Sequence, residues 1–250
     1  MSFPQHPRKH RFEPLFTATE FHRYVARRTG EPRPRPPRSI VLCYGRRWKR
    51  YLTRRFRGGY DRATGVYRAE KGVAVSMVGG PGAPLSAMVV EELAALGVRR
   101  FVIVGMAGSL QSDIPAGSLL LCEKALRDEG TSHHYEAPGD FSRPSSKLTA
   151  ALRSQLEREG TPFREGPSWT IDTPYRETVP EIRRYRRRGI LTVEMEASAV
   201  FSVARIRGCE AAALFVISDH LDDRGWQPRF YDCRPGLRHA LDIAVRALAH

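Results

Sequence analysis

The sequence predicts an α/β fold, in which helices cover a mixed or parallel sheet, from two observations. Short runs of apolar residues alternate along the 250-residue chain with longer runs that have helical periodicity. The apolar runs, such as residues 39–44, contain few polar side chains, which is typical of strands that are buried on both faces. A chain of this length accommodates one large α/β domain or two small ones.

The predicted elements follow one another from residue 39 to the C-terminus. Apolar runs predict six strands, at residues 39–44, 73–78, 101–104, 118–122, 190–193 and 211–217. Helical periodicity predicts five helices, at residues 85–96, 148–159, 179–188, 195–207 and 236–248. A glycine, which commonly ends a helix, follows each of the first four, at positions 97, 160, 189 and 208.

The expected position of a ligand follows from these elements. Ligands of such folds bind at the carboxyl ends of the strands. Glycines or an acid directly follow four of the predicted strands, at Gly45, residues 79–80, residues 105–108 and Asp219. We therefore expect a binding site where these segments meet.

Residues 1–38 differ from the rest of the chain. A helix is predicted at residues 18–28, with Thr17 or Thr19 as its N-cap. Prolines at positions 32, 34, 36 and 37 predict a stiff, extended linker, because proline pushes the preceding residue out of the helical region. The expected division is an arm, a helix and a linker at residues 1–38, followed by the main domain at residues 39–250.

Positive charge is concentrated near the N-terminus. The first 68 residues contain 18 of the 41 Lys and Arg residues and four of the 27 acids, and the formal net charge of the chain is +14. Such a region can bind nucleic acid or anionic lipid. No signature of a nucleic-acid-binding fold accompanies it, so we interpret it as a solvated surface with a few arginines facing a phosphate site. We expect neither nucleic acid nor a membrane as a partner.

The cysteines indicate a reducing compartment. They stand alone at positions 43, 122, 209 and 233, and no Cys-x-x-Cys pair suggests a zinc or redox site. The apolar runs are shorter than the roughly 18 residues that span a bilayer. We therefore expect a cytoplasmic protein without a metal site.

Carboxylates flank a methionine in the segment Thr192-Val-Glu-Met-Glu-Ala-Ser198, at the start of an apolar helical run. About twenty residues later, a predicted strand is followed by Asp219. Carboxylates placed in this way can accept hydrogen bonds from the vicinal hydroxyls of a sugar and deliver a proton to a leaving group. The pattern indicates an enzyme that cuts the glycosidic bond to a nucleobase.

A set of motifs, taken in its order and spacing, resembles the nucleoside phosphorylase family. That family includes uridine phosphorylase, the hexameric purine nucleoside phosphorylases and the methylthioadenosine nucleosidases. The resemblance extends from about residue 39 to the C-terminus, so that residues 39–250 look like the family's catalytic domain. Its motifs are Gly80-Pro-Gly-Ala-Pro84, Val90-Glu-Glu-Leu93, Gly105-Met-Ala-Gly108, Asp128-Glu-Gly-Thr-Ser132, Glu194-Met-Glu196 and Ser218-Asp219.

The resemblance implies a fold, an assembly and a pair of substrates. The fold is a three-layer α/β/α subunit around a mixed sheet that partly closes into a barrel. The assembly is a homo-oligomer built from dimers, commonly a hexamer, whose active sites borrow residues from the partner subunit. The substrates are a small-molecule nucleoside and phosphate, and no metal or organic cofactor takes part in the chemistry.

The resemblance also implies residues for the sugar and the base. Glu194, Met195 and Glu196 match the ribose-binding motif, in which Glu196 accepts hydrogen bonds from two sugar hydroxyls. Asp219 matches the acid that purine-cleaving members place beside N7 of the base, and it favours a purine over a pyrimidine substrate. Tyr175 stands next to the position of the family's base-stacking phenylalanine, so we expect it to stack on the base.

For phosphate, the resemblance implies four residues. Gly45 and Gly105 match two glycines of the phosphate-binding loops. Lys49 stands where the family has an arginine, and it can hold phosphate as a point charge without the bidentate fork. Arg62 aligns with the arginine that a neighbouring subunit inserts into the site.

The chain departs from the family at two further phosphate positions. Ile103 stands where the family has a strand arginine, and Met106 stands where it has a hydroxyl residue. In the first phosphate loop, where Lys49 replaces the family's arginine, Arg46 or Arg47 can compensate. The surplus of arginines favours a phosphorylase, whereas Ile103 and Met106 favour a hydrolase of the same fold that uses water. A relative without catalysis, which binds nucleosides or polyanions, is a third hypothesis.

Overall fold

The computed structural model describes residues 3–6, 8–46, 48–62, 64–223 and 225–249. Over these ranges, seven α-helices are α1 (Ala18–Thr29), α2 (Trp48–Arg55), α3 (Ala83–Ala95), α4 (Ser146–Arg158), α5 (Val179–Arg187), α6 (Ala197–Ile206) and α7 (Arg234–Leu248). None of these helices is long and apolar enough to cross a membrane.

All eleven strands of the described ranges pair within one sheet. They are β1 (Ser39–Tyr44), β2 (Tyr60–Asp61), β3 (Val66–Arg68), β4 (Val73–Val78), β5 (Arg100–Ser109), β6 (Leu119–Asp128), β7 (Phe141–Ser142), β8 (Phe163–Ile171), β9 (Thr192–Glu194), β10 (Glu210–Asp222) and β11 (Gly225–Pro228).

Five strands close into a ring. The strands β5, β10, β6, β8 and β9 pair in that order, and β9 returns to pair with β5. Outside the ring, β1 pairs with β5 and β4 with β1 in parallel, and β3 and β2 continue the sheet in antiparallel fashion. The sheet is therefore mixed and partly closed into a barrel, as the sequence motifs implied.

Helices cover both faces of this sheet, because successive residues of a strand point to opposite faces. Along β1, Val41 and Cys43 pack in a core with residues of α2, α4 and α7. The alternate residues Ile40 and Leu42 pack in a second core with residues of α3 and α6. The near-continuous apolar strands are thus buried on both sides, and the three-layer α/β/α architecture is confirmed.

Three predicted strands extend further than their apolar runs, and one of them, β6, continues to Asp128. β5 continues to Ser109 and β10 to Asp222, so residues 105–108 and Asp219 lie inside strands rather than after them, contrary to the prediction. The extension arises from pairing: Gly108 of β5 is opposite Val193 of β9 and also opposite Asp219 of β10. These partners are distant in the chain. They hold in an extended conformation residues that the local sequence pattern assigns to a loop.

The sequence pattern did not predict β8, β2, β3, β7, β11 or α2. In β8, Gly166 and Pro167 interrupt the apolar pattern, yet the strand is held between β6 and β9. A Cβ atom on Gly166 would lie 2.4 Å from Leu191 Cδ1, so this close approach requires glycine. Tertiary pairing therefore overrides the local preference in β8.

The N-terminal helix agrees with its prediction. Thr17 caps α1, because Thr17 Oγ1 accepts a hydrogen bond from Glu20 N (3.2 Å) while Glu20 Oε2 accepts one from Thr17 N (2.8 Å). The helix packs against α3. Residues 31–38 contain neither helix nor strand, and Arg33 Nη2 donates to the carbonyl of Ala95 (3.2 Å).

Candidate active site

The residues with carboxylates meet at one rim of the closed ring of strands. Glu194 ends β9 and lies opposite Thr170 of β8, while Val193 lies opposite Gly108 of β5. Gly108 is also opposite Asp219 of β10. The ring closure therefore brings the Glu-Met-Glu motif, the glycine motif of β5 and Asp219 to the same place.

Glu194 is 4% exposed, and both of its carboxylate oxygens accept hydrogen bonds. Oε2 accepts from the backbone N–H groups of Glu196 (2.7 Å) and Ala197 (2.8 Å), at the start of α6. Oε1 accepts from Thr170 Oγ1 (2.5 Å) and, at 3.4 Å, from Ser168 Oγ. In this arrangement Glu194 caps α6 and ties it to β8.

Glu196 is 5% exposed and is held differently. Its Oε1 accepts a hydrogen bond from Gly82 N (2.6 Å), in the loop that leads into α3. The backbone N–H of Met195 also donates to this carboxyl. No side chain among the described residues donates to it, so the carboxyl keeps lone pairs for a ligand, and Met195 beside it is half-buried.

Burial raises the pKa of both glutamates. For Glu196, the charge of Glu194 adds to the effect of burial, while the hydrogen bond from Gly82 N opposes it. For Glu194, the hydrogen bonds from Thr170 and from the start of α6 oppose the effect of burial. Two buried carboxyl groups with raised pKa values, two residues apart in the chain, mark a candidate functional site.

Asp219 lies at an irregularity of β10, where the register with β5 shifts between Ile217 and Asp219. Such a bulge re-aims a side chain. Asp219 Oδ1 accepts from Ser218 Oγ (2.5 Å), and Oδ2 accepts from Trp226 Nε1 (2.9 Å). A Cβ atom on Gly108 would lie 3.1 Å from Asp219 Oδ2, so the glycine makes room for this carboxylate.

Glu177 is a candidate that the sequence analysis missed. It follows a short 3-10 turn at Pro174–Arg176 and is partly buried, and no hydrogen bond to its carboxyl comes from the described residues. Burial, followed by the charges of Asp219 and Glu181, raises the pKa of Glu177 to about 7. In the sequence, the only signal for Glu177 was its position two residues after Tyr175, which was expected to stack on the base. Tyr175, two residues earlier, is 100% exposed in this single chain.

The residues expected to bind phosphate differ in exposure. Gly45 has a φ of 85°, and its N–H donates to the carbonyl of Val78 (2.9 Å). Gly105 is buried in β5, and a Cβ atom there would lie 3.5 Å from the ring of Phe215. Lys49 on α2 and Arg62 in the turn after β2 are exposed. The structure does not bring these two cations into one enclosed pocket within the single chain.

The two departures from the family pattern have structural consequences. Ile103 is 0% exposed and belongs to the core between the sheet, α3 and α6. Met106 is half-buried and packs against the opposite core. Arg46 is exposed, whereas Arg47 lies outside the described residues.

Tyr44 is a second missed residue. It ends β1 directly before Gly45, and its hydroxyl oxygen is buried without a hydrogen-bond partner among the described residues. The signal was available in the sequence, because a tyrosine ends an otherwise aliphatic strand at the expected position of a ligand.

The polar segment at the end of β6 makes structural contacts. Asp128 Oδ2 accepts from Trp169 Nε1 (2.9 Å) and from the hydroxyl of Tyr185 (3.2 Å). Glu129 accepts from Ser198 Oγ (2.9 Å), which connects the end of β6 to α6. These contacts hold the helix that carries Glu196 at its N-terminal end.

Known proteins resemble this chain in sequence. The family model described as the phosphorylase superfamily matches residues 48–239. The chain is 32% identical over 142 residues to a guanosine phosphorylase of Halorubrum lacusprofundi, a match that covers 57% of this chain and 59% of that protein. It is 30% identical over 186 residues to a DeoD-type purine nucleoside phosphorylase of Myxococcus xanthus, covering 69% of this chain and 76% of that protein.

Solved structures share the fold at lower identity. An AMP nucleosidase of Bacteroides thetaiotaomicron has a TM-score of 0.73 at 20% identity, covering 93% of this chain and 96% of that one. A uridine phosphorylase of Vibrio fischeri has a TM-score of 0.72 at 22% identity, covering 87% of this chain and 97% of that one.

Proposed function

The chain belongs to the phosphorylase superfamily, and we propose that it cleaves the N-glycosidic bond of a nucleoside with phosphate, giving free base and ribose 1-phosphate. The observation that carries this proposal is Glu196, a buried carboxyl that accepts hydrogen bonds from the backbone N–H groups of Gly82 (2.6 Å) and Met195 and from no side chain among the described residues. Its remaining lone pairs suit a ribose hydroxyl, which can donate a hydrogen bond to them.

In the proposed reaction, the residues that bind the ribose position the sugar for attack. Glu196 accepts hydrogen bonds from the sugar hydroxyls, with Met195 against the sugar ring. Glu194 acts through Glu196, since it accepts the hydrogen bond from Glu196 N (2.7 Å). A sugar held in this way places its anomeric carbon between the base and the nucleophile, and the nucleophile stabilises the positive charge that develops on the ring.

We propose a purine as the base. Asp219 and Glu177 form an acidic pair at the rim of the ring of strands, and Asp219 raises the pKa of Glu177. A carboxyl group that keeps its proton near neutral pH is a suitable general acid for N7 of a departing purine. Because both oxygens of Asp219 already accept hydrogen bonds, we assign the proton to the Glu177–Asp219 pair rather than to Asp219 alone.

Hydrolysis is the second candidate, and specific observations favour it. Ile103 is enclosed in the core, and the N–H of Gly45 is already bonded to the Val78 carbonyl, so two expected phosphate ligands are not offered. Lys49 and Arg62 favour the phosphorylase, because their charges are exposed and available to an anion.

We further propose a cytoplasmic homo-oligomer, dimer-based and hexameric, in which Arg62 enters the site of the neighbouring subunit. The exposed position of Arg62 supports this role, since its side chain is not engaged in a site of its own chain. Large apolar residues are exposed around the N-terminal arm and α3, namely Phe12, Leu15, Phe16 and Met88. A surface of this kind is typical of subunit contacts.

Product analysis tests the reaction directly. Inosine, adenosine, guanosine, uridine and methylthioadenosine are incubated with the protein, with and without phosphate. Ribose 1-phosphate that forms only with phosphate supports the phosphorylase. Free ribose that forms equally without phosphate rejects it in favour of the hydrolase. Cleavage of none of these nucleosides rejects both reactions and leaves a binding function.

A further inference from the structure

We propose that Tyr44 binds the ribose. Its hydroxyl donates a hydrogen bond to a sugar hydroxyl, and the same sugar hydroxyl donates a hydrogen bond to Glu196. The inference rests on the proposed function in one respect, because it takes Glu196 as the ribose ligand. It adds a specificity-determining residue that stands one position before the phosphate-loop glycine and was not implied by the family motifs.

The position of Tyr44 follows from the register of the sheet. Leu42 of β1 lies opposite Ile103 of β5, and Cys43 lies opposite Val104. Tyr44 is therefore next to Gly105 and on the same face as Ile103, where it packs against the core that α3 and α6 cover.

The surroundings of the hydroxyl are polar and buried. Ser86 Oγ lies nearby but donates to the carbonyl of Gly82 (2.8 Å), and Gly82 N donates to Glu196 Oε1 (2.6 Å). Ser86 is close enough to affect the pKa of Tyr44, but its hydroxyl proton goes to Gly82, and the Tyr44 oxygen makes no hydrogen bond of good geometry with the described residues. Buried polar groups are nearly always paired, so an exception at a binding site indicates a partner supplied by the ligand.

The hydroxyl acts as a donor. Burial, followed by the charge of Glu196, raises the pKa of Tyr44 well above its ordinary value, although the Ser86 hydroxyl opposes this shift. The raised pKa therefore favours the protonated hydroxyl, which is the form that donates.

The chemistry of a sugar hydroxyl suits both partners at once. It donates its own hydrogen to the Glu196 carboxyl and still has lone pairs that accept from Tyr44. A phosphate oxygen without a proton accepts from Tyr44 but cannot donate to a carboxylate. Between the two substrates, a ribose hydroxyl therefore fits this point better than phosphate, and the pair Tyr44–Glu196 would distinguish ribonucleosides from the analogue that lacks it.

The test is a double-mutant cycle in which the first change is Tyr44→Phe and the second is the removal of one hydroxyl from the substrate. Dissociation constants from calorimetry and kcat/KM values are measured for inosine and uridine and for their 2′-deoxy and 3′-deoxy analogues. We expect Tyr44→Phe to weaken ribonucleoside binding about tenfold, the size of one hydrogen bond in a binding site. With the analogue that lacks the shared hydroxyl, the loss should fall below about twofold.

A stability measurement separates this role from a structural one. Because the hydroxyl is unpaired in the free protein, Tyr44→Phe should leave the Tm of the unliganded protein unchanged or raise it. The matched control is Tyr67→Phe on β3, which removes a hydroxyl that is paired with Thr53 Oγ1 (3.1 Å). This variant should lower the Tm without changing the ratio of the kcat/KM values for ribonucleoside and deoxynucleoside.

The assignment is overturned if Tyr44→Phe weakens the binding of the ribonucleoside and of both deoxy analogues equally. It is also overturned if the only change is a higher KM for phosphate. The proposed reaction fails separately, when the wild-type protein cleaves no nucleoside. In that case the cycle is read from the dissociation constants alone, and a wild-type protein that binds none of the nucleosides overturns the Tyr44 assignment as well.

Discussion

Glu194 and Glu196, at the proposed ribose end of the site, are almost fully buried, whereas Lys49 and Arg62, at the proposed phosphate end, are exposed. The buried carboxylates are held by backbone N–H groups of their own chain, including Gly82 N and Ala197 N. The ribose end is therefore pre-organised within one subunit. The phosphate end is left for a ligand or a neighbouring subunit to order, since exposed charges contribute little until they are desolvated.

The replacement with the largest expected effect is Glu196→Ala. We expect kcat/KM to fall roughly 100-fold or more, because a hydrogen bond made to the reacting sugar in a buried site is lost. Steady-state kinetics with the best nucleoside measures it. Glu157→Ala, at an exposed glutamate of α4, is the matched control and should change nothing. Retained activity in Glu196→Ala would show that the ribose binds elsewhere.

Glu194→Ala should act mainly on stability, in contrast to Glu196→Ala. It leaves the N–H groups of Glu196 and Ala197 and the hydroxyl of Thr170 without their acceptor. We expect the free energy of unfolding to fall by about 2–4 kcal/mol. Denaturant unfolding measures it.

Glu194→Gln provides the control for this comparison, because its amide oxygen can still accept from the start of α6. It should destabilise the protein less than Glu194→Ala. Equal stability of Glu194→Ala and the wild-type protein would contradict the capping role and reassign Glu194 to the ligand.

The Glu177–Asp219 pair, which we propose as the proton donor to the base, predicts a pH dependence. Cleavage by a protonated carboxyl is lost as the pH rises through its pKa, so kcat/KM should fall on the alkaline side of about pH 7. Asp219→Asn removes a charge that raises the pKa of Glu177, so the alkaline limb should move to lower pH. Glu177→Gln should remove the limb. A limb that is unchanged in both variants would show that a different group supplies the proton.

The exposed residues should show the smallest effects. Lys49→Ala and Arg62→Ala should each raise the KM for phosphate about three- to tenfold, with changes in the free energy of unfolding within about 0.5 kcal/mol. Lys147→Ala, at an exposed lysine of α4, controls for the loss of charge. Tyr175→Ala should leave stability unchanged within the same range, because its side chain is fully exposed. A large loss of stability in any of these variants would place that residue in a subunit contact.

The amino-acid sequence by itself determined the order of the main elements and the location of the ribose motif. Strands such as Ser39–Tyr44 and Val73–Val78 were predicted to the residue, because burial on both faces leaves a continuous apolar run. The Glu-Met-Glu motif was recognisable because a strand end, two acids and a helix start are adjacent in the chain. These signals are local, and local signals survive in a single sequence.

Only the tertiary structure decided how that site is completed. β8 exists because β6 and β9 pair with it, although Gly166 and Pro167 weaken its local pattern. Glu177 comes near Asp219, and Tyr44 near Glu196, through contacts between residues far apart in the chain. The capping position of Glu194 also depends on Thr170. Burial and partner identity are set by long-range packing, so sequence pattern alone could not distinguish a carboxylate that caps a helix from one that is open to a ligand.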